Sequence, residues 1–174
     1  MAKRALKHAS HARPEDALRL WIQIVRFANG LQRDIDAKLR QSHGQSLSRF
    51  DVLSQLERAE DATLSVGQIS KQLLTSAANI TGLLDRMERD GLIRRSLSEA
   101  DRRSFLVTAT DEGLAVFRKM AVDNAGWVSE AFAHLDPEDF AVFSHLFEAA
   151  LPASGDEKGE DVRPKATRRR AQAR

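Results

Sequence analysis

Two arginines and an aspartate stand together at the turn of a predicted β-hairpin. Residues 91–110, GLIRRSLSEADRRSFLVTAT, hold two short runs of β-type residues on either side of a turn with Asp101, Arg102 and Arg103. Guanidinium groups at such a tip can bind nucleic-acid phosphates or enter a groove of the double helix. A solvated cluster of surface charge is the plainer interpretation of the same residues, and both remain open at this point.

The segment before this hairpin predicts a helix with two unlike faces. In AANITGLLDRMERDG, Ile80, Leu83, Leu84 and Met87 follow the i, i+3, i+4, i+7 spacing and form one apolar stripe. Gly91 is a typical helix stop. Near its N-terminus the opposite face is small and polar, and such a face allows a helix to approach the major groove of DNA closely.

The outward residues of this helix have side chains that suit contact with DNA. Asn79 can pair bidentately with adenine, and Thr81 can hydrogen-bond a base edge or touch a thymine methyl. Ser76 and the first-turn amides can hold a phosphate at the positive end of the helix, while Arg86 lies further along and can reach a backbone phosphate. An ordinary solvated helix surface is the alternative. The candidate DNA-binding residues are Ser76, Ala78, Asn79, Thr81, Gly82, Arg86, Asp101, Arg102 and Arg103.

Helical periodicity precedes this segment. Apolar residues recur at helical spacing over residues 15–42 and predict a long first helix. Ser48, with Asp51 three residues later, is a capping-type start for a second helix, FDVLSQLERA. EDATL is a link in which a short strand is one option. Ser65 with Gln68 is a capping box that opens a third helix, VGQISKQLL.

Two more helices are predicted after the hairpin. Thr110, followed by two acidic residues, starts a fifth helix that reaches about residue 135. The Asp136-Pro137 pair starts a last helix that ends at Leu151. Two short helices joined by a tight turn and followed by a two-stranded ribbon make a winged helix-turn-helix. The expected fold is therefore mainly α with a small β-wing.

Composition excludes several classes of function. The 174 residues suit one domain, with 42% apolar and 30% charged residues, and they include no cysteine, so disulfides and thiolate chemistry are excluded. The five histidines show no metal-binding spacing, and no catalytic, dinucleotide or phosphate-loop motif is present. No apolar run approaches the ~18 residues of a membrane span, and the N-terminus lacks an apolar signal core. We expect a cytoplasmic protein that is no enzyme and needs no metal or cofactor.

The net charge of +2 hides an uneven distribution. Residues 1–13 and 163–174 are basic without any acid, whereas residues 14–151 are mildly acidic. Residues 1–13 and 152–174 have few apolar residues to bury and are expected to be disordered tails. The basic end of the second tail could bind DNA non-specifically or serve only solubility.

These motifs together resemble the MarR family of bacterial transcription regulators from about Leu18 to Leu151. The resemblance is carried by LSRFDVLSQL, by VGQISKQLLTSAANITGLLDRMERDGLIRR, and by EADRRSFLVTAT with the following DEG. It implies a domain over residues 14–151, with the winged helix-turn-helix at about 47–110. It also implies that Arg103 enters the minor groove and that Asp101 orients it.

The same resemblance implies a homodimer on double-stranded DNA with an inverted-repeat operator. The dimerisation helices would be residues 15–42 and 111–151, and the aromatic load of the latter segment suits a subunit interface, although an intrachain helical core is the alternative. Family members commonly lose DNA affinity when a small aromatic anion binds, so a repressor released by an aromatic or acyl ligand is expected.

The ligand would lie near the first two helices. Trp21 could instead be a packed core aromatic, and His43 could be an exposed loop histidine. The candidate lining residues are Trp21, Arg26, His43, Arg49 and Phe50. A helical protein-interaction module without specific DNA binding is the competing function.

Overall fold

The computed structural model describes residues 13–73, 77–97 and 105–150, with the backbone alone at 77–79. A 3-10 turn, Glu60–Ala62, stands between the second helix and the first strand. The elements in chain order are α1 (Pro14–His43), α2 (Leu47–Arg58), β1 (Thr63–Ser65), α3 (Val66–Gln72), α4 (Ala77–Arg89), β2 (Ile93–Leu97), β3 (Phe105–Ala109), α5 (Asp111–Ala131) and α6 (Pro137–Ala150). This order is that of a winged helix-turn-helix flanked by helices, as predicted.

The chain divides into two units, and the boundary falls after Phe132, so that α6 belongs to the second unit. The predicted division into a domain at 14–151 and two tails remains a prediction. None of the described helices is both long and apolar enough to span a bilayer.

The small sheet has three strands rather than two. β3 lies in the centre, with β1 and β2 antiparallel on its two sides. The EDATL link therefore does include the start of a strand. Thr63, the first residue of β1, pairs with Thr108 of β3. The side chains of Thr63 and Thr108 share a hydrogen bond of 2.8 Å across this pair. This third strand fixes the inner end of the β2–β3 hairpin to the body of the domain.

A single core lies beneath the sheet and between the helices. The apolar stripe of α4 is buried, as its spacing predicted, and α1 adds only Ile35 and Leu39. The side chains that complete the core come from the other elements: Val52, Leu53, Leu56, Ile69, Leu92, Ile93, Val107, Ala109 and Met120. Burial of one face of α4 leaves its other face outside.

Three predicted helix starts are confirmed by side-chain hydrogen bonds. The Ser65–Gln68 capping box is complete, because the Gln68 N–H donates to Ser65 Oγ and the Ser65 N–H donates to Gln68 Oε1. Thr110 Oγ1 accepts a bond from the N–H of Gly113, the third residue of α5. Asp136 Oδ1 accepts one from the N–H of Asp139 in α6. Each bond satisfies an amide that the helix itself leaves free.

The predicted start of α2 at Ser48 is wrong. The N-cap is Ser46, whose Oγ accepts from the Arg49 N–H. The free N–H of Leu47 donates to Asp36 Oδ1 of α1 at 2.8 Å, so the helix can begin earlier than the sequence pattern suggested. Asp51 has no role as a cap; burial raises the pKa of its carboxyl to about 6.

The fifth helix ends at Ala131, four residues before the predicted end near 135. Phe132 leaves the helical conformation, and its N–H bonds back to Ser129 and Glu130.

Gly113 in the DEG motif allows α5 to approach the end of α4 closely. A Cβ atom built on Gly113 would lie 2.0 Å from the carbonyl oxygen of Leu92 and 3.3 Å from a methyl carbon of Leu53. The Leu92 oxygen is backbone, and it already accepts a hydrogen bond from the Thr110 N–H, so it cannot move away freely. The glycine is therefore required by the packing of α5.

Gly113→Ala is expected to destabilise the protein by about 2–4 kcal/mol, because the added methyl group overlaps fixed backbone. Gly126→Ala is the matched control on the same helix, since a Cβ there meets nothing within 4 Å. That change should stabilise the protein by up to about 1 kcal/mol through helix propensity. Urea unfolding of both variants measures the difference, and equal stabilities would contradict the close approach.

Candidate nucleic-acid interface

The outward face of α4 is available to a large ligand. Thr81 and Arg86 are exposed and Gly82 is half-buried, while the opposite face of the helix is in the core. Ala78 and Asn79 belong to the first turn of α4, and their side chains lie outside the described residues, as does all of Ser76. The structure thus places the later part of the predicted DNA-contacting face at the surface.

The wing consists of β2, β3 and the seven residues that connect them. The strands pair from Ile93 with Ala109 out to Leu97 with Phe105. Asp101, Arg102 and Arg103 lie in the connection at 98–104, which is outside the described residues. Leu97 and Phe105 are the outermost described pair, and both side chains are exposed.

Arg95 of β2 is bound to two carboxylates of α4. Its Nε donates to Glu88 Oε2 at 2.8 Å, its backbone N–H donates to Glu88 Oε1 at 2.9 Å, and its guanidinium also binds Asp85. The hydrogen bond to Glu88 raises the pKa of Arg95 above its ordinary range, so this side chain keeps its charge. The wing is therefore tied by charge-assisted hydrogen bonds to the helix that faces outward.

The charged side chain of Arg95 is thus bound within the chain and is not simply solvated. Asp85 and Glu88 are three residues apart on α4, so both carboxylates lie on one side of the helix. Arg95 is two residues after the buried Ile93, so the two share a face of the strand. These two spacings are the signal from which the contact could have been predicted.

Three cations near α4 and the wing are exposed and have no ion-pair partner within the described part of the chain. They are Lys71 at the end of α3, Arg86 on α4 and Arg94 on β2. Arg89 is also exposed, and its Nε donates to the carbonyl oxygen of Asp85. A surface with free cations around a small polar helix face suits a polyanion.

His43 does not stand free in a loop. It is the last residue of α1, its side chain is only 15% exposed, and its Nε2 lies 2.8 Å from Asp123 Oδ2 of α5. Its ring meets the edge of Trp127, and Lys38 lies over the Trp127 ring at 5.6 Å. The imidazole thus joins α1 to α5.

Arg49 and Phe50 are also engaged within the chain. Arg49 forms an ion pair with Asp90, just past the end of α4, and donates to Gln45 at 2.9 Å. The Phe50 ring packs against Phe117 of α5 with centroids 5.3 Å apart. Arg49 therefore links α2 to the end of α4, and Phe50 links α2 to α5.

Trp21 and Arg26 lie on the other half of α1, and both are exposed. Trp21 is 61% exposed, so it is no core aromatic within one chain. On a straight helix Trp21 lies about 33 Å from His43, and Arg26 about 26 Å from it. A single chain therefore does not bring these two residues to a small-molecule site that also includes His43.

Comparison with known proteins identifies the family. The model of a family described as the MarR family matches residues 43–104, which include α2, α3, α4 and β2 but end before β3. The transcriptional activatory protein BadR of Rhodopseudomonas palustris is 37% identical over 124 residues, which are 70% of this chain and 70% of that protein. The match to BadR is long enough to show common family membership.

Solved structures share the fold. Sco3205, a MarR family regulator of Streptomyces coelicolor in complex with DNA, has a TM-score of 0.69 at 22% identity, and the match covers 82% of this chain and 89% of that one. A single-residue mutant of MarR from E. coli, complexed with operator DNA, gives 0.69 at 22% identity over 79% of this chain and 96% of that one.

Proposed function

The chain belongs to the MarR family of DNA-binding transcription regulators, which are not enzymes, and from that premise we propose that it is a ligand-released repressor. It would act in the cytoplasm as a homodimer on an inverted-repeat operator. The outward face of α4, held between α3 and the wing, is the observation that carries the proposal. The alternative of an interaction module without DNA binding gives way to the family assignment.

Repression needs only that the bound dimer covers a promoter. Two recognition helices in successive major grooves of one DNA face lie ~34–36 Å apart and so cover about two helical turns. BadR is named as an activator, and the same protein surface could serve activation from an upstream site. A promoter-reporter assay with the operator moved from overlapping to upstream positions tests the direction of regulation.

We place α4 in the major groove and the wing tip in the flanking minor groove. Asn79 and Thr81 would contact base edges, with Ala78 and Gly82 allowing close approach, and Ser76 and Arg86 would hold phosphates. Arg102 would meet phosphate or solvent, because alternate strand residues face opposite ways. The support is the pairing of β2 with β3 up to Leu97 and Phe105, which directs the connection between them away from the core.

Arg103→Ala is expected to weaken operator binding by about 10- to 100-fold, because a dimer loses two guanidinium groups from narrow, strongly negative minor grooves. Asp101→Ala should also weaken binding, since the carboxylate would fix the aim of Arg103 by a charge-assisted hydrogen bond. Simple electrostatics gives the opposite sign for that second variant. Fluorescence anisotropy at one fixed salt concentration measures both.

Arg102→Ala is the control for loss of one positive charge from the same turn, and it should cost less than Arg103→Ala. Tighter binding by Asp101→Ala, together with unchanged binding by Arg103→Ala, would show that the turn is a solvated charge cluster.

The homodimer is supported by apolar surface that each of the two units, taken by itself, leaves uncovered. α1 has 30 residues and is about 45 Å long, yet only two of its residues are buried. Its first half exposes Leu18, Leu20, Trp21, Ile22 and Phe27. Within its own unit, α6 exposes Phe140, Val142, Phe143, Leu146 and Phe147. Patches of this kind mark protein–protein contacts.

Leu18→Glu with Trp21→Glu is expected to raise the dimer dissociation constant by about 100-fold or more, because buried charges at an interface lack partners. Leu97→Glu is the control, because Leu97 is as exposed as Leu18 (59% against 58%) but lies on β2, outside the helices proposed for the dimer. Light scattering should give twice the chain mass for the wild type and the control. A wild-type monomer at micromolar concentration that still binds the operator tightly would disprove the dimer.

The proposed effector is an aromatic carboxylic acid or a thioester of one. His43 and Arg49 supply hydrogen-bond donors, and Phe50 supplies an aromatic face near the junction of α1, α2 and α5. Trp21 and Arg26 can join the same site only from a second copy of the chain, because of their distance along α1. The effector site is thus proposed to span the dimer.

A ligand carboxylate at Arg49 would compete with Asp90. Asp90 follows α4 directly, so loss of its ion pair would release one tether of the recognition helix. The ligand would shift DNA binding only if it had unequal affinity for two states of the protein, one with α4 placed for DNA binding and one with α4 released. Such couplings amount to about 1–3 kcal/mol, or about 5- to 150-fold in affinity.

Titration of benzoate and related aromatic acids into the protein–operator complex is expected to lower operator affinity by about 10-fold. Arg49→Gln should abolish that response. Arg58→Gln, which removes an exposed arginine from the same helix, should leave it intact. Absence of any change in affinity or thermal stability with the wild type would reject an aromatic acid as effector.

A further inference from the structure

The contact between Arg95 and α4 has a geometry that fixes the wing at one point. Glu88 receives both the backbone N–H and the Nε of Arg95, and Asp85 binds the same guanidinium. Glu88 thus holds both the β2 backbone at position 95 and the Arg95 side chain, so neither of them can shift without the other. We propose that Arg95 is a positioning residue that sets the angle between the wing and α4, and so decides where residues 98–104 meet DNA.

Arg95 is the outermost described tie between β2 and α4. Ile93, two residues earlier, is buried in the core, whereas Ser96 and Leu97 beyond Arg95 are exposed. Past Arg95, β2 is held by its pairing with β3 alone within the described residues, and β3 keeps one more partner in β1, where Leu106 pairs with Ser65. Because each strand residue adds about 3.3 Å, a small rotation at Arg95 becomes a larger displacement at the tip.

Charge neutralisation is a second effect of the same contact, and it is separable from positioning. Asp85 and Glu88 would repel phosphate if they were left unpaired on a helix that lies in DNA. A lysine at position 95 would still neutralise them. It could not form the planar, forked set of hydrogen bonds that holds the guanidinium to both carboxylates. The lysine variant therefore distinguishes position from charge.

The inference rests on the proposed contact of Arg103 with the minor groove, and a double-mutant cycle tests the link. Arg95→Lys and Arg95→Gln are each made alone and with Arg103→Ala, and operator affinity is measured at one salt concentration. Arg94→Gln is the matched control, because Arg94 is the adjacent strand residue, exposed and without an ion-pair partner in the described structure. All proteins are full-length.

Arg95→Lys and Arg95→Gln should each weaken binding by about 10-fold in the wild-type background and by less than about 3-fold with Arg103→Ala, because a misplaced wing costs nothing once its tip contact is gone. Arg94→Gln should cost the same in both backgrounds. Equal losses for the Arg95 variants in both backgrounds would overturn the proposal. Full retention of affinity by Arg95→Lys would also overturn it, since charge alone would then suffice.

A measurement without DNA separates this inference from the proposed function. Amide hydrogen exchange in residues 93–97 and 105–109 should become faster in Arg95→Lys and Arg95→Gln, with α2 and α5 unchanged. If Arg103→Ala leaves affinity unchanged, the proposed minor-groove contact is wrong, and exchange then decides on Arg95. Unchanged exchange in the wing would overturn the positioning role.

Discussion

The junction between α4 and β2 is the constraint on which the other parts of the structure depend. Gly91 takes a left-handed conformation with φ of 72°, which ends α4 and turns the chain into the strand. The oxygen of Gly91 accepts a bond from the Thr110 side chain, and that of Leu92 accepts one from the Thr110 N–H. Gly113 then lies against the same carbonyl. The end of α4, the start of the wing and the start of α5 thus all meet at the backbone of Gly91 and Leu92.

This junction joins the DNA-facing part of the chain to the helices proposed for the dimer. α5 begins on it, and further along α5 contacts the end of α1 through His43 and Asp123, and α2 through Phe50 and Phe117. Gly113, near the start of α5, packs directly against the backbone of Leu92 and leaves no space between them. A rotation of α5 is therefore transmitted to α4 and to the wing together. Movement that the proposed ligand would cause in the helical region would therefore have a rigid path to both elements proposed to contact DNA.

The elements were predictable because each has a local signal, whereas most contacts between them have none, and the contact of Arg95 with Asp85 and Glu88 is an exception. The α4 stripe and the caps at Ser65, Thr110 and Asp136 depend on neighbouring residues, and all are present. The start of α2 was misplaced because Asp36, eleven residues earlier, supplies its first hydrogen bond. The separation of Trp21 and Arg26 from His43 is different, since all three lie on α1 and the distance follows from their sequence spacing once the helix is known to be continuous.

The distribution of charge explains why DNA binding by this chain must depend on geometry. The region from 14 to 151 is mildly acidic, and three of its described arginines, Arg40, Arg49 and Arg95, are paired with carboxylates of the same chain. The net negative charge of this region makes uniform electrostatic attraction to DNA weak. In the proposed dimer, affinity would then require that two recognition helices and two wings fit their grooves together. A small change in their spacing would lose several contacts at once, so the modest binding energy of the proposed ligand would be enough to release the protein.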